Sequence, residues 1–302
     1  MSASSLESGY NSSGEEARFQ PIPDKSRIEK DAIRLQDEFE ITELLMKSAN
    51  GMIYTGRILA TGQQVIFKQI PRYSVAKWSK FDDSWIPLEI ALHFQAYNNS
   101  TNSHNIVQPI TWLEKNSSFV LVMEKVPNCM DLFDLVKNYG ALTEEAACII
   151  FTQLIDIIKS LEQAGISHRD IKDENLIVNV KTLDIKLIDF GCATLAFEGD
   201  QFDFSGTPEF YPPEFWRQRV YRHQPLGIWQ IGIVLVILLT GNLPIQTTDE
   251  IAKFDINNFN LLSSFSPAAC QVLQAALAPV SVRASSDKLT ELLLQWRATL
   301  NM

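Results

Sequence analysis

Two polar stretches constrain this chain more than anything else in it. His168-Arg169-Asp170-Ile171-Lys172-Asp173-Glu174-Asn175 is followed, after two short apolar runs, by Asp189-Phe190-Gly191. The runs between them, Leu176-Ile177-Val178 and Ile185-Lys186-Leu187-Ile188, read as two strands flanking a turn near Lys181-Thr182. A hairpin of that length returns Asn175 and Asp189 to the same end, within reach of one ion. The grouping suits phosphoryl transfer. Asp170 can take the proton of an acceptor hydroxyl, Lys172 can steady the moving phosphoryl group, and Asn175 with Asp189 can hold Mg²⁺.

The composition narrows the surroundings of such a site. With 302 residues, 46% of them hydrophobic, the chain can bury a sizeable core, as one large or two ordinary domains. A net charge of −10 argues against a general nucleic-acid or anionic-membrane binder. Cys129, Cys148, Cys192 and Cys270 lie far apart and form no C-x-x-C pair, which excludes a disulfide framework or a zinc site. That usage, with no basic or apolar leader in Met1–Tyr10, leads us to expect a cytoplasmic or nuclear location. The most apolar run, Ile228–Leu239, is too short to span a bilayer and reads as a buried helix.

Residues 1–36 are rich in Ser, Glu, Gly and Pro with little apolar periodicity, and are expected to be disordered. A β-rich segment follows, from Phe39 to about Ile70, with a turn at Thr61-Gly62. Lys68 closes its last strand, Val65-Ile66-Phe67-Lys68. An amphipathic helix is expected between Trp85 and Ala96 with Glu89 inside it, and strands recur at Val107–Leu113 and Phe119–Met123. From Asp131 onward the pattern is mostly helical.

Taken in order, these motifs resemble the eukaryotic protein kinases, over residues 39 to about 297. The resemblance implies an α+β, bilobal kinase fold: a small β-rich N-lobe (37–124), a hinge (125–130) and a large, mainly helical C-lobe (131–298). Within the kinases the chain is most similar to the Pim serine/threonine family. The stretches that carry this are Pro87-Leu88-Glu89, Asp131-Leu132-Phe133-Asp134, Gly140-Ala141-Leu142, the two opening motifs and Tyr211-Pro212-Pro213-Glu214. Most kinases carry an Asp two positions before the core-helix tryptophan; here Gly227 stands there, as it does not in most kinases but does resemble Pim enzymes in lacking the acid.

The resemblance assigns roles residue by residue. Asp170, Lys172, Lys68 and Glu89 are the expected catalytic set, with Lys68 and Glu89 as the phosphate clamp. Met46, Gly51, Ile53, Lys68, Met123, Glu124, Val126, Asp131, Leu176 and Asp189 are expected to surround ATP, and Asn175 and Asp189 to bind Mg²⁺. Asp131, Asp134, Asp173, Glu174 and Thr207 are expected along the protein substrate, the acids favouring arginines upstream of the acceptor. Glu214 is expected to form a buried ion pair with Arg283, and Arg169 to hold a phosphate or carboxylate of the activation segment; two alternatives stand, a constitutively ordered segment with Asp203 as the built-in acid, or a charge supplied by phosphorylation of Ser205. The enzyme is expected to act as a monomer.

One departure matters for rate. The loop that covers the nucleotide normally reads G-x-G-x-x-G, but here it is Met46-Lys47-Ser48-Ala49-Asn50-Gly51, and only Gly51 survives. A left-handed backbone at Met46 or Ser48 would cost about 1–2 kcal/mol each, slowing transfer about tenfold per 1.4 kcal/mol. The loss also leaves open a catalytically silent pseudokinase that serves as a scaffold. A metabolic small-molecule kinase is disfavoured by the Gly206–Glu214 segment, which builds a peptide platform in protein kinases.

Overall fold

The computed structural model describes residues 20–302 apart from 49–50, 82, 101 and 259. The chain divides into two compact units: residues up to Phe94 with Gln108–Lys125, and Gln95–Val107 with Val126–Met302. The segment 95–107, expected in the N-lobe, therefore belongs to the second unit.

The first unit is built on a five-stranded antiparallel sheet. Its strands are β1 (Phe39–Ser48), β2 (Gly51–Ile58), β3 (Gln64–Pro71), β6 (Pro109–Glu114) and β7 (Ser118–Glu124), in the order β1-β2-β3-β7-β6. Alternation sends Val65, Phe67, Leu113, Val120 and Val122 to one face, where they form a core with Phe39. The hairpin of β4 (Trp78–Phe81) and β5 (Ser84–Pro87) comes before helix α2 (Leu88–Asn98). The helix expected from Trp85 thus starts three residues later, because Trp85 and Ile86 pair across that hairpin with Lys80 and Ser79.

A helix also forms where disorder was expected. α1 spans Lys25–Glu38, mostly within the residues 1–36 read as a tail, with the Asp24 side chain capping Ser26 and Arg27 N–H. Polar contacts rather than apolar periodicity hold it. Asp31, only 4% exposed, accepts the Glu114 N–H at 2.8 Å and pairs with both Arg27 and Arg34. The Arg27 guanidinium lies 3.7 Å over the Trp112 ring, and Leu35 packs against the core cluster. The remainder of that expectation, residues 1–19, lies outside the described residues.

The second unit is mainly helical. It carries α3 (Leu132–Tyr139), α4 (Glu144–Ala164), α5 (Pro213–Gln218), α6 (His223–Thr240), α7 (Thr248–Lys253), α8 (Pro267–Ala276) and α9 (Ser286–Thr299). Small sheets complete it: β8 (Cys129–Asp131), β10 (Leu176–Asn179) and β11 (Ile185–Leu187) form one, β9 (Ile166–Ser167) and β12 (Thr194–Leu195) another. Every residue of α6 from Ile228 to Leu239 is buried, so the apolar run is the core of this unit. The whole helix, His223–Thr240, is long and apolar enough to cross a membrane, yet 78% of it is buried within the fold. Glu144, at the start of α4, accepts from Ser266 and from Trp296 Nε1 at 2.9 Å, tying three helices together.

Candidate active site

The site in the second unit is assembled on the β10–β11 hairpin. Leu176 pairs with Leu187, and the Ile188 N–H donates to the Asn175 carbonyl at 3.0 Å, so the opening motifs meet at one end as their spacing implies. Between β9 and β10, and again just after β11, the backbone is unusual. Arg169 and Asp189 both have positive φ, 66° and 62°. Both are strained for residues with a Cβ, and each is held by its neighbours. The Asp189 carboxylate accepts from Gly191 N–H at 3.1 Å. Next to it, Phe190 is buried edge-on against the His168 ring at 5.0 Å, and His168 Nε2 bonds the Ile188 carbonyl. Burial pushes the His168 imidazole below its ordinary pKa against the nearby carboxylates, so it is a neutral strut.

Asp170 is held through both carboxylate oxygens. Oδ1 accepts from Thr207 N–H at 2.8 Å and Oδ2 from Asn175 Nδ2 at 2.9 Å, while the same Nδ2 donates to the Asp170 carbonyl at 2.8 Å. Lys172 Nζ donates to Thr207 Oγ1 at 2.9 Å, pairs with Glu174 at 2.5 Å and lies 3.9 Å from Asp170. Burial disfavours its ammonium, but the Glu174 bond and the charges of Asp170, Glu174 and Asp173 outweigh that and raise its pKa. Lys172 therefore stays charged beside the carboxylate.

Gly206, expected only as the start of the peptide platform, is also a member of the site. Its φ is 123°, and a Cβ there would stand 2.6 Å from the Arg169 carbonyl oxygen, so only glycine lets the activation segment lie against the catalytic loop. The Gly-Thr-Pro signature was the available signal. Arg169, 4% exposed, donates to Cys192 O and pairs with Asp203 at 2.5 Å. Tyr221 also bonds this pair, and Tyr211 O–H donates to the Ser205 carbonyl at 2.8 Å. The expected acid partner of Arg169 is thus supplied by the chain itself. Cys192 is half-buried and its thiol pKa is raised by that burial, the opposite of an activated thiolate.

The expected substrate acids divide. Asp134 is exposed, and Glu174 is exposed but engaged with Lys172. Asp131 caps α3, accepting from Asp134 N–H at 2.7 Å, and its carboxyl is raised by burial and by the charges of Asp134 and Glu174. Asp173 does not fit a surface role: it is 7% exposed, and burial, with the Glu174 charge, pushes it up to about 6. Leu176, expected beside the nucleotide, is fully buried in the β10 core, and the Val126 carbonyl accepts from Cys129 Sγ at 3.0 Å.

In the first unit, Lys68 on β3 and Glu89 in the first turn of α2 meet at 2.5 Å, each largely shielded. Ile53 on β2 faces Lys68 across the strand pair and Met46 on β1 faces Ile53; Met46 is 58% exposed. Met123 is buried at the end of β7, and the Glu124 carboxylate accepts from Gln108 N–H at 2.8 Å. The penalty expected in the depleted loop does not arise at its first residues: Met46, Lys47 and Ser48 continue β1 with no positive φ. Ala49 and Asn50 lie outside the described residues. Gly51 is retained for a packing reason, since a Cβ there would stand 2.1 Å from the Gln69 carbonyl oxygen.

Comparison with known proteins decides the family. The protein kinase domain matches residues 39–296. This chain belongs to the protein kinase family. Among its relatives is "Serine/threonine-protein kinase pim-2" of Danio rerio, 34% identical over 225 residues, which cover 72% of this chain and 72% of that protein. "Serine/threonine-protein kinase prk-2" of Caenorhabditis elegans is 27% identical over 239 residues, 79% of this chain and 53% of that one. A third, "PAS domain-containing serine/threonine-protein kinase" of Mus musculus, is 33% identical over 215 residues, 68% of this chain but 15% of that much longer protein. The likeness to Pim kinases stands, and the chain falls among the protein serine/threonine kinases. ATP is the substrate such a domain uses. The sheet-rich first unit and helical second unit are those of the kinase fold.

Proposed function

We propose that this kinase transfers the ATP γ-phosphoryl group to Ser or Thr of proteins with basic residues upstream of the acceptor. The observation that carries the reading is the hold on Asp170, whose carboxylate is oriented by Thr207 N–H and Asn175 while Lys172 reaches the Thr207 hydroxyl. Asp170 takes the proton of the Ser or Thr hydroxyl as the hydroxyl oxygen attacks the γ-phosphorus and ADP leaves, and Lys172 offsets the charge on the moving group. The donor set suits a hard divalent cation such as Mg²⁺. Asn175 uses its amide nitrogen on Asp170, which reserves its oxygen for a metal, and Asp189 adds an exposed carboxylate. Among the described residues no cluster of three or more His, Cys, Asp or Glu surrounds a point, so these two would leave most of a cation's shell to phosphate and water. The cation, when bound, neutralises charge on the nucleotide phosphates.

The basic preference rests on Asp131, Asp134 and Glu174, acids close enough for the latter two to raise the first. Arginine offers them bidentate, charge-assisted bonds. The rival, a silent scaffold, rests on the depleted glycine loop. A peptide array with Mg²⁺ and ATP separates the two. Phosphorylation is expected on Ser and Thr peptides with upstream Arg, and Asp170→Asn is expected to lower the rate about 10²–10⁴-fold. Equal signal from both proteins would sink the catalytic reading, and indifference to upstream Arg would sink the specificity.

A further inference from the structure

Asp170 sits between two peptide groups whose partners come from a single side chain. Gln230, on α6, has no exposed surface. Its Nε2 donates to the Arg169 carbonyl at 2.9 Å and its Oε1 accepts from the Ile171 N–H at 3.3 Å. These are the groups immediately before and after Asp170. An amide carries one donor end and one acceptor end, which is what a carbonyl and an N–H two residues apart require. A carboxylate could serve only the N–H.

The surroundings show how much rests on this contact. The Arg169 backbone is left-handed, a conformation disfavoured for a residue with a Cβ. A cavity of about 60 Å³ lies beside it, lined by Ile158, Arg169, Ile171, Gly227 and Gln230 among others. Gly227 precedes Gln230 by three residues and so shares its helix face. Gly227 is also the position where most kinases carry an acid. Here that position offers no side chain, and Gln230, one turn on, reaches the loop instead.

We propose that Gln230 is a positioning residue for phosphoryl transfer: by clamping the peptide groups on both sides of Asp170 it aims the catalytic carboxylate. It touches no substrate and acts through the backbone alone. α6 is buried over Ile228–Leu239, so the clamp ties the base to the packed core of its unit. This role rests on the kinase reading above, and the experiment separates the two.

Gln230→Met keeps the length of the side chain and removes both bonds. Its kcat is expected to fall about ten- to a hundredfold, the scale of a 1 Å misplacement of a reacting group. Nucleotide affinity and cooperative melting should be retained, a split that a merely structural role would not produce. Should Gln230→Met fail to fold, Gln230→Asn, which can reach only one of the two groups, is read in the same way. Folded Gln230→Met with wild-type kcat, or a loss that only mirrors fewer nucleotide-binding molecules, overturns the proposal. Amide exchange tests the clamp without turnover: the Ile171 N–H should be protected in the wild type and exchange faster in the variant, and equal exchange would overturn it. A wild-type rate no higher than that of Asp170→Asn would instead count against phosphoryl transfer itself.

Discussion

Both carboxylate oxygens of Asp170 are committed to donors before any substrate arrives, and its neighbours divide the remaining work by burial. Asp173, three residues on, illustrates the difference that burial makes. Its carboxyl is pushed up to about 6, chiefly by desolvation, from an ordinary 3.8. Because the folded state holds this proton more tightly than the unfolded chain, stability from this group is full below about pH 4 and is lost as pH rises through 6. Asp173→Asn is expected to be more stable than the wild type at pH 7.5, with the gap closing by pH 4. Thermal melts across that range check it; a gap independent of pH would mean the carboxyl titrates normally. The acid was legible in the sequence but its burial was not, because that depends on α3 packing against the Asp173–Asn175 turn. Arg169 shows the same limit. Its type, its place and its pairing with Asp203 were legible through the kinase resemblance, whereas its left-handed backbone is a product of the assembled loop.

Elements without a strong periodic pattern were the hardest to read. α1 has few apolar positions, so composition favoured disorder for a stretch that is helical from Lys25 to Glu38. What orders it is a set of charged contacts with residues about 80 positions away, which no local window contains. Asp31 is the centre of that set, accepting the Glu114 N–H while pairing with Arg27 and Arg34. Asp31→Ala is expected to lower unfolding free energy by about 1–3 kcal/mol, the cost of leaving a buried donor unsatisfied. Urea titration measures it, and a change below a few tenths would show that α1 is a passive cover. By contrast, the β10–β11 hairpin and α6 were legible because their apolar runs are continuous and their turn residues are local.

Across the helical unit, long-range polar ties join elements that apolar packing alone would leave free to shift. Arg283, its side chain 1% exposed, makes a bidentate pair with Glu214 at 2.7 and 2.9 Å, after the activation segment that carries Thr207. Removing one partner leaves the other buried and uncompensated. Glu214→Ala is expected to cost about 3–5 kcal/mol of stability. Denaturant unfolding reads the loss directly; a cost under 1 kcal/mol would mean that Arg283 is satisfied by the Pro225 and Ala278 carbonyls to which it also donates.

The sequence by itself determined the family of this protein and the residue types at its site. The residue types and order of His168–Asn175 and Asp189–Gly191, with strand runs between them, admit few folds and one reaction class, because spacing along a hairpin is a local property. Tertiary structure alone decided how that chemistry is held. Gly206 against Arg169 and Gln230 behind Asp170 are contacts between segments 37 to 61 residues apart. They follow from chain closure around a buried helix, and pairings at such separations leave no periodic trace in one sequence.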